Sequence, residues 1–205
     1  MKTIIITKKD LDKDNYYKED GIGIWDNYED VDVEIEGKLG CVLFRKGVYV
    51  KGSIICESGS GIKAGWGIKA GLGIEAGLGI EAGSGIEAGL GIEAGLGIEA
   101  GLGIEAGWGI EAGLGIEAGL GIEAGWGIVS LFSWIKAKLK IKIDARCTIS
   151  AGIFSYEGEQ DIEAQEIEGK VIYGKVKLLP KESEPTNKKV KIRVADGQII
   201  EGELI

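Results

Sequence analysis

From Gly61 to Trp126 apolar side chains fall on even-numbered positions, while glycine and charged residues fall on odd ones. The unit is a hexad, G-I-x-A-G-x, which decays in the next unit, "GIVSLF". Its second place is always isoleucine, from Ile62 to Ile122, and its fourth is always alanine. The third place holds Lys63, Lys69 and then Glu75, Glu81, Glu87, Glu93, Glu99, Glu105, Glu111, Glu117 and Glu123. At the sixth place Trp66, Ser84, Trp108 and Trp126 interrupt a run of leucines. Period two is the strand period. Two glycines in six residues, each about 1 kcal/mol worse than alanine in a helix, exclude the alternative. One strand cannot run so far, so the glycines are expected to make corners through unusual φ values. Identical short strands joined by identical corners predict a β-solenoid, all-β, with each coil hydrogen-bonded to the next.

Three hexads per coil give a three-sided solenoid with 18-residue rungs. Trp108 then stacks under Trp126, Trp66 shares a column with Ser84, and Lys63 and Lys69 stand beside Glu81 and Glu87. A two-hexad coil would separate Trp108 from Trp126. The isoleucines should point inward and the glutamates outward. Alternation alone sends the Leu/Trp position inside as well. A narrow triangular core has little room for tryptophan, however, and a corner that turned this position outward would create an apolar stripe.

The flanks blur the pattern. "KGVYVKGSIICESGS" keeps Val48, Val50, Ile54 and Cys56 on even numbers and reads as an earlier, degenerate rung. After Ile128 the parity flips to Ile135, Leu139, Ile141 and Ile143, so "VSLFSW" reads as a break where Phe132 and Trp134 plug the core. Lys136, Lys138, Lys140 and Lys142 then alternate with aliphatics on one expected face, solvated or guarding an edge. Three regions follow: a β/loop cap over residues 1–47 that starts with the strand "TIIIT", the solenoid over 48–128, and a β region over 129–205. The last is expected to be a small β unit or further irregular solenoid, with a hairpin turn at Asp196-Gly197.

"KGVYVKGSI" followed by "GIKAGWGIKAGLGIEAG" resembles the hexad β-helices of bactofilin-type and other hexapeptide-repeat proteins, over roughly Gly37 to Ile128. The resemblance is one of periodicity, and it implies a fold rather than an activity. Hexapeptide acyltransferases, the enzymatic branch of that architecture, use a catalytic histidine, and this chain of 205 residues has none. Bactofilin-like proteins polymerise through bare solenoid tips, whereas β-rich flanks are expected to cap both tips here and prevent filaments.

Composition narrows the chemistry further. Without histidine no Ser/His/Asp or Cys/His site can be built, and no phosphate-binding loop is present. Cys41, Cys56 and Cys147 lack metal-ligand spacing and read as buried thiols in a reducing cytoplasm. "DLDKDNYYKEDG" carries Asp10, Asp12 and Asp14 two apart, but Asn15 and Gly21 stand where a calcium loop needs glycine and glutamate. No metal, cofactor or enzymatic activity is expected. No apolar run is long enough for a membrane span. The net charge of −9 is concentrated in the repeat, where two lysines face nine glutamates. An acidic surface argues against direct nucleic-acid contact.

Two functions fit. The first is a non-enzymatic scaffold or protein-binding module presenting an acidic ladder, with the nine glutamates and Trp66, Trp108 and Trp126 as candidate binding residues and a protein with a basic groove as partner. Two outward apolar ladders would also allow a homodimer. The second is a phage or mobile-element inhibitor that mimics nucleic acid and blocks an effector such as a CRISPR nuclease. Three glutamates per rung of about 4.8 Å approach the charge density of duplex DNA, about one per 1.7 Å, and pentapeptide-repeat gyrase inhibitors look like a precedent. Ice binding wants threonine arrays, and none of the four threonines lies in the repeat.

Overall fold

In each hexad the isoleucine and the alanine are the inward residues of a three-residue strand, with the charged residue between them pointing out. Ile98–Ala100 is typical: Ile98 and Ala100 are buried and Glu99 is exposed. The computed structural model describes residues 2–24, 27–144, 147–154, 161–181, 189–193 and 199–203. Each strand pairs in parallel with the strand one coil away, Ile80 with Ile98 and Ile98 with Ile116, giving a three-sided solenoid with rungs of about 18 residues. Sheets of nine, eight and seven strands form its three faces. We number the faces in the order the chain first reaches them, so the first holds Ile74–Ala76, the second Ile80–Ala82 and the third Ile86–Ala88. The core is a stack of isoleucines, nearly all of them 0–1% exposed, each worth about 2–5 kcal/mol against truncation to alanine.

The corners differ from expectation in one way and settle one open question. No glycine of the repeat has a positive φ; among the described residues the positive values belong to Gly23, Gly40, Gly59, Gly152, Gly169 and Gly174, outside it. The fifth-place glycine is required for a steric reason instead. A Cβ at Gly101 would lie 2.3 Å from the carbonyl oxygen of Gly83 beneath it, and one at Gly119 only 2.0 Å from that of Gly101. The corner also settles the open question of the Leu/Trp position. A bend at the fifth-place glycine and at the Leu/Trp residue itself breaks the alternation, and the side chain turns outward: Trp66 is 54% exposed, Trp108 50% and Trp126 62%.

The hydrogen-bonded ladders cross both boundaries expected from the repeat. The strand Lys2–Ile6 pairs with Val31–Ile35, which pairs with Ile54–Cys56, so the first face runs to the N-terminus. Asn15, Ile22 and Glu29 bond to the outer edges of Gly40–Phe44 and Val48–Val50, while Leu11 and Ile22 close the core. At the other end "VSLFSW" starts within the strand Ile128–Ser130, and the corner after it, residues 131–134, is lengthened by one residue, so that Ile116 pairs with Ile135 and the numbering parity flips while the sheet continues. Neither Phe132 nor Trp134 plugs the core, because the corner turns both outward: Phe132 is 50% exposed and packs on Phe154 at 5.9 Å, and Trp134 is half-buried at the surface with the Lys136 ammonium over its ring. Lys136 to Lys142 do not share a face: Lys136 lies on the second face, Lys140 and Lys142 on the third, and Lys138 falls between the two strands.

Irregular solenoid continues through Asp161–Ala164, Glu166–Glu168, Lys170–Tyr173 and Lys175–Leu178, where Val176 and Leu178 are 50% and 64% exposed in the last coil. Beyond it Lys189–Arg193 and Ile199–Glu203 pair antiparallel as a separate hairpin. The Asp196-Gly197 turn lies outside the described residues. Among the described residues no helix is long and apolar enough to cross a membrane.

Candidate functional site

Because coils stack in register, every place in the hexad becomes a column along the axis. Glu75, Glu93 and Glu111 form one on the first face, Glu81, Glu99 and Glu117 one on the second, and Glu87, Glu105 and Glu123 one on the third. Carboxylates about 4.8 Å apart repel by about 1 kcal/mol per pair even in water. Cations at the column ends relieve this on two faces. On the second, Lys63 pairs with Glu81 and Lys136 stands in register above Glu117. On the third, Lys69 pairs with Glu87 and Lys142 with Glu123. Hydrogen bonds to these glutamates are the main reason that Lys63, Lys69 and Lys142 are held above the ordinary lysine pKa.

The first face lacks such relief. Ile55 stands in register below Glu75 and Val129 above Glu111. Among the described residues no ion pair joins these three glutamates to a cation.

Beside each glutamate column runs the outward Leu/Trp column, and the first-place glycines form the floor between them. On the first face the wall is Leu72, Leu90, Trp108 and Trp126, linked by backbone bonds of 3.0–3.1 Å. Trp108 and Trp126 are stacked, with ring centroids 5.6 Å apart and planes 12° apart, in the column expected for 18-residue rungs. The trough holds about 480 Å³ between these indoles and Glu75, Glu93 and Glu111. Its floor, Gly91 and Gly109, has room for a methyl group, since a Cβ would meet the next carbonyl at 3.5 and 3.4 Å, an ordinary contact. Trp66 stands apart, on the third face, in the column of Ser84, Leu102 and Leu120. That face has a trough of about 340 Å³ in which Lys140 and Lys142 line the wall. The second-face trough, about 410 Å³, runs past Leu78, Leu96 and Leu114 to Trp134.

The structure thus divides the sequence-predicted site residues. It joins Trp108 and Trp126 to three glutamates and leaves Trp66 and six glutamates on other faces. Sequence reasoning found the Lys63–Glu81 and Lys69–Glu87 pairs at the N-terminal ends of two columns but missed the C-terminal ends. Val129 is one 18-residue step beyond Glu111 and was readable as such; Lys136 and Lys142 became readable only once the lengthened corner was known.

Chemistry-bearing groups are sparse elsewhere. Among the described residues no cluster of three His, Cys, Asp or Glu side chains is placed to hold a metal. The Asp12 carboxylate accepts bonds from the backbone N–H groups of Asp14 and Tyr16 and pairs with Arg45 at 3.1 Å, which makes it a loop brace. Of the three cysteines expected to be buried only Cys56 is; Cys41 is exposed and Cys147 half-buried, because Cys41 points outward from its strand. Burial pushes the Cys56 thiol up to about 12, and partial desolvation also raises Cys41, so neither is an activated nucleophile. The chain matches no family model, and comparison with curated proteins and with solved structures gives no match.

Proposed function

We propose that the chain is a non-enzymatic binding scaffold whose solenoid holds an acidic, tryptophan-walled face toward a partner protein with a basic surface. The observation that carries this is the asymmetry among three otherwise equal columns. Glu75, Glu93 and Glu111 have no lysine in register at either end, and the same face carries the stacked, exposed Trp108 and Trp126. Unrelieved like charge beside exposed aromatic surface is the composition of an interface centre, where tryptophan anchors and charge steers. Free Cys41, Cys56 and Cys147 suit a reducing compartment such as the cytoplasm.

The kinship with bactofilin-type β-helices rests on periodicity, and the scaffold reading does not depend on it. The nucleic-acid-mimic reading has less behind it. Such a mimic needs an even band of negative charge, whereas Lys63, Lys69 and Lys142 neutralise the column ends on two faces.

Immobilised protein incubated with lysate at low and at high salt provides the test. Changing Glu75, Glu93 and Glu111 together to Gln should release a salt-sensitive partner, and the same change at Glu87, Glu105 and Glu123 should not. A partner retained through both changes would place binding outside the ladder and defeat this reading.

A further inference from the structure

The geometry points to a basic amphipathic helix, lying along the solenoid axis in the first-face trough, as the element of the partner that is recognised. This rests on the binding role proposed above and goes further by fixing the shape and chemistry of the occupant. The trough offers two parallel rows, an apolar one of Leu90, Trp108 and Trp126 and an anionic one of Glu75, Glu93 and Glu111, both lining the same groove. Both rows repeat once per coil, about every 4.8 Å. A helix repeats each stripe of its surface every turn, about 5.4 Å. Across three glutamates the two repeats drift apart by only about 1 Å, which a lysine or arginine arm absorbs. An extended strand laid the same way presents same-side residues about 6.8 Å apart. It falls out of step by roughly 4 Å over the same three glutamates.

The helix therefore matches both rows at once. An apolar stripe at i, i+3/i+4, i+7 sits on the indoles, and a neighbouring basic stripe sits on the carboxylates. From Ile55 to Val129 the groove spans four coil steps. That is about 19 Å, the length of a helix of about 13 residues. Charge selects this trough over the other two, whose glutamate columns already have lysines at the ends: Lys63 and Lys136 on the second face, Lys69 and Lys142 on the third.

The probe is a fluorescein-labelled synthetic peptide with leucines on one stripe and lysines and arginines on the next, measured by anisotropy and by indole emission. A scrambled peptide of the same composition serves as control. The designed helix should bind about tenfold more tightly than the scrambled one, the signature of a shape-matched anchor rather than charge alone. Binding should quench or shift tryptophan emission and raise peptide helicity. Trp108→Ser and the triple Glu75/Glu93/Glu111→Gln change should each weaken it about tenfold, whereas Glu87/Glu105/Glu123→Gln should leave it within about twofold. Ser84 already occupies the Trp108 place in its own hexad, so the serine variant has a precedent for folding, and a cooperative melting curve shifted by no more than a few degrees checks it. Equal binding of both peptides, equal loss on both faces, or an unresponsive indole signal would each overturn the helix. A lysate partner released by the first-face glutamine changes, but not displaced by the peptide, would overturn the helix and leave the binding role in place.

Discussion

The fifth and first places of the hexad are both invariably glycine, yet the structure needs them for different reasons. Gly101, at a fifth place, sits directly over the Gly83 carbonyl, with 2.3 Å for a Cβ that requires more than 3 Å. Gly103, two residues on, would put a Cβ at 3.5 Å from the Gly121 oxygen, an ordinary contact. One glycine lets coils stack; the other keeps a trough open. Uniformity in a repeat therefore does not imply a uniform cause, and only the contact along the axis separates structural glycine from surface glycine. The same corner explains where the pattern fails. Leu131 donates to Ala112 in place of the fifth-place glycine, and there the corner gains a residue and Phe132 turns its N–H to Gly113. Extra chain accommodates the side chain that an 18-residue corner excludes.

The largest effect should come from exchanging the two glycines for alanine in separate variants. Gly101→Ala forces backbone apart and should lose about 2–3 kcal/mol by chemical denaturation. Gly103→Ala should be neutral or gain about 0.4–1 kcal/mol, because alanine restricts the unfolded chain. Equal losses at both places would mean that the glycines serve backbone freedom, and the comparison would collapse. A smaller effect sharpens the surface role. Gly91→Ala with Gly109→Ala raises the first-face floor and should weaken a basic partner about threefold with little change in stability, an effect typical of near-neutral interface contacts. Gly85→Ala with Gly103→Ala, on the third face, should not change binding.

How much of this was legible in the sequence follows from which features depend on period alone. The inward isoleucines, the outward glutamates and the Trp108–Trp126 column all follow from two numbers, 2 and 18, and the structure has them. Properties of the corner were not legible. Alternation assumes an extended chain, so it left the Leu/Trp position open between core and surface; that residue sits in a bend and faces out. It took the flip of parity after Ile128 for the end of the repeat, although one added residue flips parity without ending a sheet. It grouped Lys136 with Lys140 and Lys142, which a corner at Lys138 and Leu139 sends to different faces. The asymmetry that singles out one glutamate column depends on those end residues, and for that reason the site was legible as nine glutamates but not as three.

Trp108 carries the comparison to the wall of the trough. If it serves the surface, Trp108→Ser should cost only the exposed stacking with Trp126, about 0.5–1.5 kcal/mol. A loss of about 3 kcal/mol or more, the scale of emptying a core, would show that the corner column supports the fold.

The smallest effect separates the glutamates as the alanine variants separate the glycines. Glu81 and Glu87 have partners one coil away, in Lys63 and Lys69, and among the described residues Glu93 has none. Lys63 and Lys69 are both held above the ordinary value of 10.5, mainly by hydrogen bonds to those glutamates. A cation whose folded pKa is raised stabilises fully below its unfolded pKa and loses that contribution as pH rises through the folded one. Both pairs should therefore be intact at neutral pH and fade above 10.5. They lie at the surface, half-buried to exposed and open to solvent screening, so together they should be worth no more than about 1 kcal/mol. The variant carrying Lys63→Met and Lys69→Met should be less stable than the parent by that amount at neutral pH and low salt, with the gap closing at high salt and again at alkaline pH. Glu93→Gln should do the reverse, leaving stability unchanged or slightly higher as a repulsion is relieved. A gap that persists in high salt would mean that the lysine stems contribute by packing against the neighbouring coil, and charge would no longer distinguish the paired glutamates from the unpaired column.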